Sequence, residues 1–523
     1  MDRIILNIKE LITVRGMNVY LVGGYLRDKI QGRAAGDVDL LVEGRAKNLA
    51  LELAEKLSGT PVPLDERRDI HRLILQAGEQ TVQLDLEGMP EGGLVADLRR
   101  RDFTINALSL PLAAYCGGSF LENSVIDPLG GMEDLRKGII RACSSAAIED
   151  DPLRALRAFR FSAGLGFVLA PDTLQLIRHM RRPITVCAGE RIRDELFAIL
   201  HKASSSIVRL MNGQTTLLEQ IFPEIVPLKG LQQGGYHVDD AWEHSLKALE
   251  RFETLVPGTP AGREGVTKAA KGGRTQLTGK TITAGGEDRD VTVARFGRAF
   301  LSGLPDGVRN GLQEYLAQNI TRGRSRLPVL KLACLLHDVG KQFCREYAGN
   351  GKYTFYGHNR AGEPVARSVA QRLKLSKREG EVLATLVGQH MDLLFLYKSA
   401  PVTPRAVRRF FRRAGREAPG LLLLSLADVA SSRLASGQVE AAAAYNKFIA
   451  DMLHKYYNQG HLYVSPPRLL DGAEVCSLLG IKPSPLVRRV LEALADAQAE
   501  GVVQTGAEAR EFVRRWREGE KKQ

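Results

Sequence analysis

One short stretch constrains this chain more than any other: VYLVGGYLRDKIQGRAAGDVDLLVE, residues 19–43. A β-branched run enters Gly23-Gly24, where missing side chains let backbone amides approach a ligand, and a helical pattern with Arg27 and Asp28 follows. Strand, glycine turn and helix N-terminus together read as a phosphate cradle. A second apolar run carries Asp37 and Asp39, and the two-residue period of a strand puts both carboxylates on one face. Paired hard oxygen ligands suit Mg²⁺, which takes carboxylates together with substrate phosphates. Singly, a D-x-D reads more often as a solvated strand edge and a Gly-Gly as a turn. Gathered within the 17 residues from Gly23 to Asp39, they point to a bound nucleotide beside a cation.

The 523 residues are three to four times the ~150 of a typical domain, so several domains are expected. With 44% hydrophobic and 25% charged residues, composition excludes disordered and fibrous classes. An α/β head is expected over 1–148 and a helical neck over 149–230. A second helical domain follows over 231–455, then a helical tail over 456–523. Within the second helical domain, residues 257–290 are rich in Gly, Thr and Lys/Arg and poor in large apolar side chains, and so read as a flexible insertion. Six scattered cysteines without a C-x-x-C pair, a start unlike a signal peptide and no run approaching ~20 apolar residues predict a reduced, cytoplasmic protein. The net charge of +13 predicts a polyanionic partner.

Three further segments follow the first in order: ADLRRRDFTINAL (96–108), VIDPLGGMEDLRKGIIR (125–141) and DDPLRALRAFRF (150–161). With them the chain resembles the class II tRNA nucleotidyltransferase and poly(A) polymerase family. The resemblance implies a polymerase-beta-like nucleotidyltransferase head, a mixed sheet with flanking helices, followed by a mostly α-helical remainder. It implies template-independent addition of CMP and AMP from CTP and ATP to the CCA end of tRNA, with Asp37 and Asp39 holding two Mg²⁺. Poly(A) addition, or CC-only or A-only addition, shares the same motifs. Arg101, Asp102 and Asn106 are implied near triphosphate and ribose, alongside Gly23, Gly24, Arg27 and Asp28, and Asp151 with Arg154 as the base-reading pair. Three positions apart, these two share a helical face, and an acceptor beside a guanidinium can meet a Watson–Crick edge; an ordinary surface ion pair is the other reading. The usual Glu-Asp-x-x-Arg here begins with the shorter Asp150. Arg157 and Arg160 continue the basic helix toward triphosphate or RNA, Arg160 reading equally as a solvated charge, and Asp85 in TVQLDLE is a candidate third carboxylate, facing metal or solvent.

A second constellation comprises WEHSL (242–246), LLHDVGK (335–341), YGHNRAG (356–362), GQHMD (388–392) and SLADVASSR (425–433). The adjacent His337-Asp338 can approach one ion, and imidazole with carboxylate suits a divalent transition metal. This resembles the HD-domain metal phosphohydrolases. The resemblance implies a first metal on His244, His337, Asp338 and Asp428, a second on His358 and His390, phosphate at Lys341, and cyclic-phosphodiesterase or phosphatase chemistry. Such a phosphohydrolase, with the head merely binding nucleotide, is the rival reading; a non-catalytic RNA-binding protein is a third, against which the intact cradle and D-x-D argue.

Arg405, Arg408, Arg409, Arg412, Arg413 and Arg416 fall on one helical face, with Val407, Phe410 and Phe411 elsewhere on the cylinder. Such a stripe can track an RNA backbone, here expected to be tRNA, or simply face solvent.

Overall fold

A computed structural model describes residues 2–77, 80–117, 120, 122–234, 238–257, 286–349 and 352–520. The chain divides into two compact units, Met1–Ile199 with Leu210–Ile221, and Leu200–Arg209 with Phe222–Gln523.

The first unit is built on a mixed sheet of β1 (Val19–Val22), β2 (Val38–Val42), β3 (Thr60–Asp65), β4 (Ile70–Ala77), β5 (Gln80–Gly88) and β6 (Ser109–Pro111), in the order β3-β4-β5-β2-β1-β6. Alternation puts the buried Val38, Leu40, Leu84 and Leu86 on one face of β2 and β5 and Asp39 and Asp85 on the other, where Leu41 is buried beside Asp39. Helices α1 (Asp2–Arg15), α2 (Gly24–Ile30), α3 (Ala46–Leu57) and α4 (Gly93–Arg100) flank the sheet, α1 burying Ile5 and Ile8 and α3 burying Leu49 and Leu53. Register puts Val22 opposite Asp39 and, through a parallel pairing, Asp39 opposite Asp85. The glycine turn after β1 and the carboxylates of β2 and β5 therefore meet at one end of the central strands.

The Asp-Pro-x-Gly-Gly segment is a buttress. Asp127 accepts from the amides of Gly131 (2.7 Å) and Met132 (2.9 Å), capping α5 (Gly131–Lys137). A Cβ on Gly131 would lie 2.1 Å from the Thr104 carbonyl oxygen, so only glycine lets α5 pack on the segment carrying Arg101, Asp102 and Asn106. Thr104 Oγ1 in turn donates to Asp134 at 2.7 Å. Beyond it come α6 (Ala146–Asp150) and α7 (Arg154–Leu165), whose Leu156, Phe159 and Phe161 are buried.

The second unit is helical apart from short ladders among the described residues. Its centre is the helix Arg326–Leu336, buried along almost its whole length, beside Ala241–Leu255, His358–Arg372, Lys377–Gln389 and Ala418–Ala435. Lys331 is fully buried there because Glu253 pairs with it at 2.7 Å and accepts from the Ser204 amide and hydroxyl. The helices Gly472–Leu479, Pro485–Ala499 and Gly506–Glu520 share a core of Val475, Leu479, Val490, Leu494 and Val513.

Two expectations change. Of the insertion expected over 257–290, residues 258–285 lie outside the described residues, whereas 286–290 open the helix Gly286–Gly303. One 18-residue stretch within Pro404–Ala435 is, by composition alone, apolar enough to cross a membrane, contrary to the expectation that no run comes close. Its leucines Leu421–Leu424 are buried in the protein core, and 72% of the stretch is covered by the chain itself.

Candidate functional site

Gly23 caps α2 with φ +75°, a left-handed-side conformation that favours glycine, and a Cβ there would meet Asp39 Oδ2 at 2.7 Å and Arg101 Nη1 at 3.2 Å. Backbone, carboxylate and guanidinium thus converge on a cavity of about 1340 Å³. Of the residues expected here, Gly23, Gly24, Arg27, Asp39, Arg101, Asp102, Asn106, Asp151, Arg154 and Arg157 line it. Asp28 does not; it receives the Arg27 guanidinium at 2.7 Å and so holds that arginine in place. Asp37, exposed and one residue before β2, is also absent from the lining.

Polar side chains here are fixed in a chain. Arg27 Nη1 donates to Asn106 Oδ1 (2.7 Å), Asn106 Nδ2 donates to Asp102 Oδ1 (2.9 Å), and Arg157 pairs with Asp102 Oδ2 (2.8 Å). Arg101 is steadied by Asp97 at 2.9 Å. Burial pushes the Asp39 carboxyl up to about 6 against the pull of Arg101, and Asp85, Asp37 and Glu87 push the same way. Glu87 is raised too, by burial first and by Asp97 next. Carboxylates raised by one another form a donor set that a divalent cation would relieve. Both Asp85 oxygens receive the Arg72 guanidinium, at 2.7 and 2.8 Å, so the strand neighbour of Asp39 faces the polar side but is already paired.

The expected helical pairing of Asp151 with Arg154 is corrected. Asp151 lies in extended backbone between α6 and α7, and α7 begins only at Arg154. Asp151 Oδ2 pairs with Arg191 at 2.8 Å, while Arg154 Nη1 donates to the Ala147 carbonyl at 3.0 Å. The two still face one cavity, from a turn and a helix N-terminus rather than from one helical face. Arg160 is absent from the lining: it pairs with Glu195 at 2.6 Å and stacks on Phe161.

In the second unit, His244, His337, Asp338, Asp428, His358 and His390 converge. His244 Nε2 lies 2.9 Å from Asp428 and 3.6 Å from Asp338; His337 Nε2 lies 3.3 Å from Asp338 and 3.8 Å from Asp428. On the other Asp338 oxygen, His358 Nε2 stands at 3.3 Å and His390 Nε2 at 3.9 Å. Nδ1 of His337, His358 and His390 each lies 2.8 Å from the carbonyl three residues before it, and His244 Nδ1 lies 2.9 Å from Ser431 Oγ. Carbonyl bonds at Nδ1 leave Nε2 as the lone-pair side turned inward, the tautomer a metal needs. His337 Nε2 is buried with no hydrogen-bond partner, and the ligand atoms of His244/His337/Asp338 and of Asp338/His358/His390 form two groups, each gathered within 4.8 Å. These residues would hold one or two divalent cations, Asp338 belonging to both groups. Burial, with His358 and His337 nearby, pulls His390 down to about 3, keeping it neutral; despite its burial, Asp338 is held well below the carboxylate range by His337 and Lys341. Lys341, expected to meet phosphate, turns its ammonium onto Asp338 at 2.6 Å and also onto Gln233.

The arginine face is not a bare stripe. Asp496, on the helix Pro485–Ala499, takes Arg405 (3.1 Å), Arg408 (3.0 Å) and Arg409 (3.0 Å). Arg412 pairs with Glu492 and Arg413 with Asp392. Arg408 is only 5% exposed and so is withdrawn from any RNA backbone, whereas Arg405, Arg409, Arg412, Arg413 and Arg416 stay exposed.

Three family profiles match along the chain: "Poly A polymerase head domain" over residues 19–141, "Probable RNA and SrmB- binding site of polymerase A" over 166–228, and "HD domain" over 312–432. The A-adding tRNA nucleotidyltransferase of Deinococcus radiodurans is 34% identical over 505 residues, covering 95% of each chain. The chain belongs to the tRNA nucleotidyltransferase family. The CC-adding tRNA nucleotidyltransferase of Thermus thermophilus is 32% identical, over 97% of this chain and 95% of its own. Among solved structures, a Thermotoga maritima CCA-adding enzyme complexed with tRNA has TM-score 0.59 at 19% identity, over 98% of this chain and 94% of that one. A CCA-adding enzyme with ATP has TM-score 0.60 at 19% identity, over 98% and 92%; these two establish the shared fold.

The chain is therefore an enzyme, a nucleotidyltransferase with an HD domain, and the reading as a non-catalytic RNA-binding protein falls. His244 lies outside the matched HD span, yet the fold brings it to Asp428. Several lining residues of the nucleotidyltransferase cavity escaped the sequence reading: Arg67 and Arg68 between β3 and β4, Asp97 and Arg100 on α4, Glu87 on β5 and Phe161 on α7. Asp97 and Arg100 lie inside ADLRRRDFTINAL and Glu87 inside TVQLDLE, whereas Arg67 and Arg68 carried only the signal of the ERRD turn (66–69) between two strand-like runs. Phe161 carried none, because its role depends on Arg27 and Arg160 stacking on it at 5.1 and 4.4 Å.

Proposed function

We propose that this chain extends the 3′ end of tRNA without a nucleic-acid template, transferring CMP and AMP from CTP and ATP. The observation that carries the reading is the meeting of Gly23, Asp39, Arg101, Asp151 and Arg154 around one cavity. The α2 N-terminus and the guanidiniums of Arg27 and Arg101 seat the triphosphate; Asn106, fixed by Arg27 and Asp102, orients the ribose. Asp151 and Arg154 offer an acceptor and a donor to the base edge, each held by a partner outside the pair, so the edge they present is preformed. Asp37 and Asp39 would hold Mg²⁺, which when bound lowers the pKa of the RNA 3′-hydroxyl and neutralises the leaving pyrophosphate. The HD centre would hold a divalent transition metal and act on phosphate esters, and the enzyme would work in the cytoplasm.

A second reading is partial addition. Two relatives matching nearly end to end are named A-adding and CC-adding, which favours a chain that contributes only part of the CCA triplet. Supplying CTP and ATP separately and together, on tRNAs ending before the first C and before the final A and on unstructured RNA, resolves CCA, CC, A and poly(A) products. Asp39→Ala is expected to lower incorporation by about a hundred- to a thousandfold, the range for loss of one group that stabilises transition-state charge; retained incorporation overturns the assignment. Metal-dependent hydrolysis of 2′,3′-cyclic nucleotides to nucleoside monophosphates, lost in His337→Ala, in a protein that never incorporates nucleotide, would instead make the HD centre the main activity.

A further inference from the structure

Between Asp338 and His358 the chain forms an antiparallel hairpin, Glu346–Gly349 with Lys352–Thr354, in which Tyr347 faces Tyr353. Residues 343–356 contain five aromatics, Phe343, Tyr347, Tyr353, Phe355 and Tyr356, against 6% in the whole chain. Three of them face solvent: Phe343 is 62% exposed, Tyr347 66% and Tyr356 79%. The Arg345 guanidinium stacks on Tyr353 at 3.8 Å and has no ion pair among the described residues.

Three residues past the hairpin, Gly357 borders a separate cavity of about 600 Å³, lined by Arg360, Arg409, Arg413, Asp392 and a half-exposed Phe395. Its cations outnumber its anions. Asp496 is shared by three arginines and Asp392 faces Arg413, so two carboxylates answer Arg360, Arg405, Arg408, Arg409 and Arg413.

We propose that the hairpin and this cavity form a binding surface for single-stranded RNA, bases stacking on Tyr347, Tyr356 and Phe395 and phosphates meeting Arg360, Arg409 and Arg413. Aromatic faces accept any unstacked base, whereas a duplex hides its base faces, which selects single strands. Guanidiniums beside those rings supply the backbone contacts that stacking lacks. The surface lies on the HD unit and owes nothing to the carboxylates of the nucleotidyltransferase cavity; it rests on the proposed function only in naming RNA.

Fluorescence anisotropy of a labelled oligoadenylate 8-mer, blocked by a 3′-phosphate, tests this on the full chain in excess ATP and CTP. The single strand should bind at least about tenfold more tightly than the same 8-mer in a duplex. Tyr347→Ala and Tyr356→Ala should each weaken binding roughly 5- to 100-fold, while Tyr347→Phe and Tyr356→Phe retain it. Arg360→Ala should lower the salt slope by about 0.7. No measurable binding, tyrosine variants that bind like the parent, or alanine variants that lose a protein partner but keep RNA all overturn the proposal. Nucleotide incorporation dependent on Asp39 is scored separately, so failure here and failure of the proposed function are distinct.

Discussion

The carboxyl of Asp39, ordinarily near 3.8, is raised to about 6 by burial and by its acidic neighbours, which makes its ionised form a cost to the metal-free fold. The group favours the fold fully below about 4, and that contribution is lost as pH rises to about 6; above that the penalty is bounded by about 3 kcal/mol. Asp39→Asn should therefore raise the thermal midpoint of the chelator-treated protein at pH 7.5 by up to a few degrees. The gain should vanish at pH 4 and shrink when Mg²⁺ is added, and the variant should not incorporate nucleotide. A midpoint at pH 7.5 equal to or below that of the parent would show that the Asp39 environment does not strain the carboxylate. Gly23 belongs to the same balance, since any Cβ there would collide with the oxygen that a cation needs.

Among the elements, the helix Pro404–Ala414 shows how strongly context decides what a charged face does. Its arginines have one-sided periodicity, but Asp496 and Glu492 of Pro485–Ala499 meet them, so much of the stripe is a docking seam. Asp496 is 5% exposed and carries three guanidiniums, one of them the buried Arg408. Asp496→Ala should cost about 3–5 kcal/mol, the range for breaking a buried pair, and should open the C-terminal helices to limited proteolysis. Glu492→Ala, at a half-exposed pair, should cost under about 1 kcal/mol. Equal effects from the two would mean that the seam is held by apolar packing alone.

For the molecule as a whole, the two centres should separate by their response to metal. Loading with divalent transition metal should place one or two ions per chain on His244, His337, Asp338, Asp428, His358 and His390, counted by elemental analysis and lost in His337→Ala. Stripping those ions should destabilise the chain by about 3 kcal/mol if the free metal had stood at a hundred times its dissociation constant, read as a lower midpoint. Nucleotide incorporation should return on adding Mg²⁺ alone. A protein that retains no ion after loading, or a His337→Ala protein that keeps the full count, would remove the HD centre from the metal sites.

Local pattern was enough wherever chemistry is written in neighbouring residues. The glycine turn, Asp39 on its strand, the HD pair and the segment 96–108 announce themselves at short range, because backbone period and side-chain type fix what each segment offers; the strand face expected for Asp37 and the helical face expected for Asp151 with Arg154 do not form. Tertiary structure decided the rest, since partners distant in sequence set exposure and charge. The register of Asp39 between Val22 and Asp85, the seating of Asp151 on Arg191 and the approach of His244 to Asp428 across 184 positions all depend on which strands and helices pack together. So does the fate of the arginine face: periodicity places the guanidiniums on one side of a helix, but a carboxylate more than 80 residues away decides whether that side is free for a polyanion.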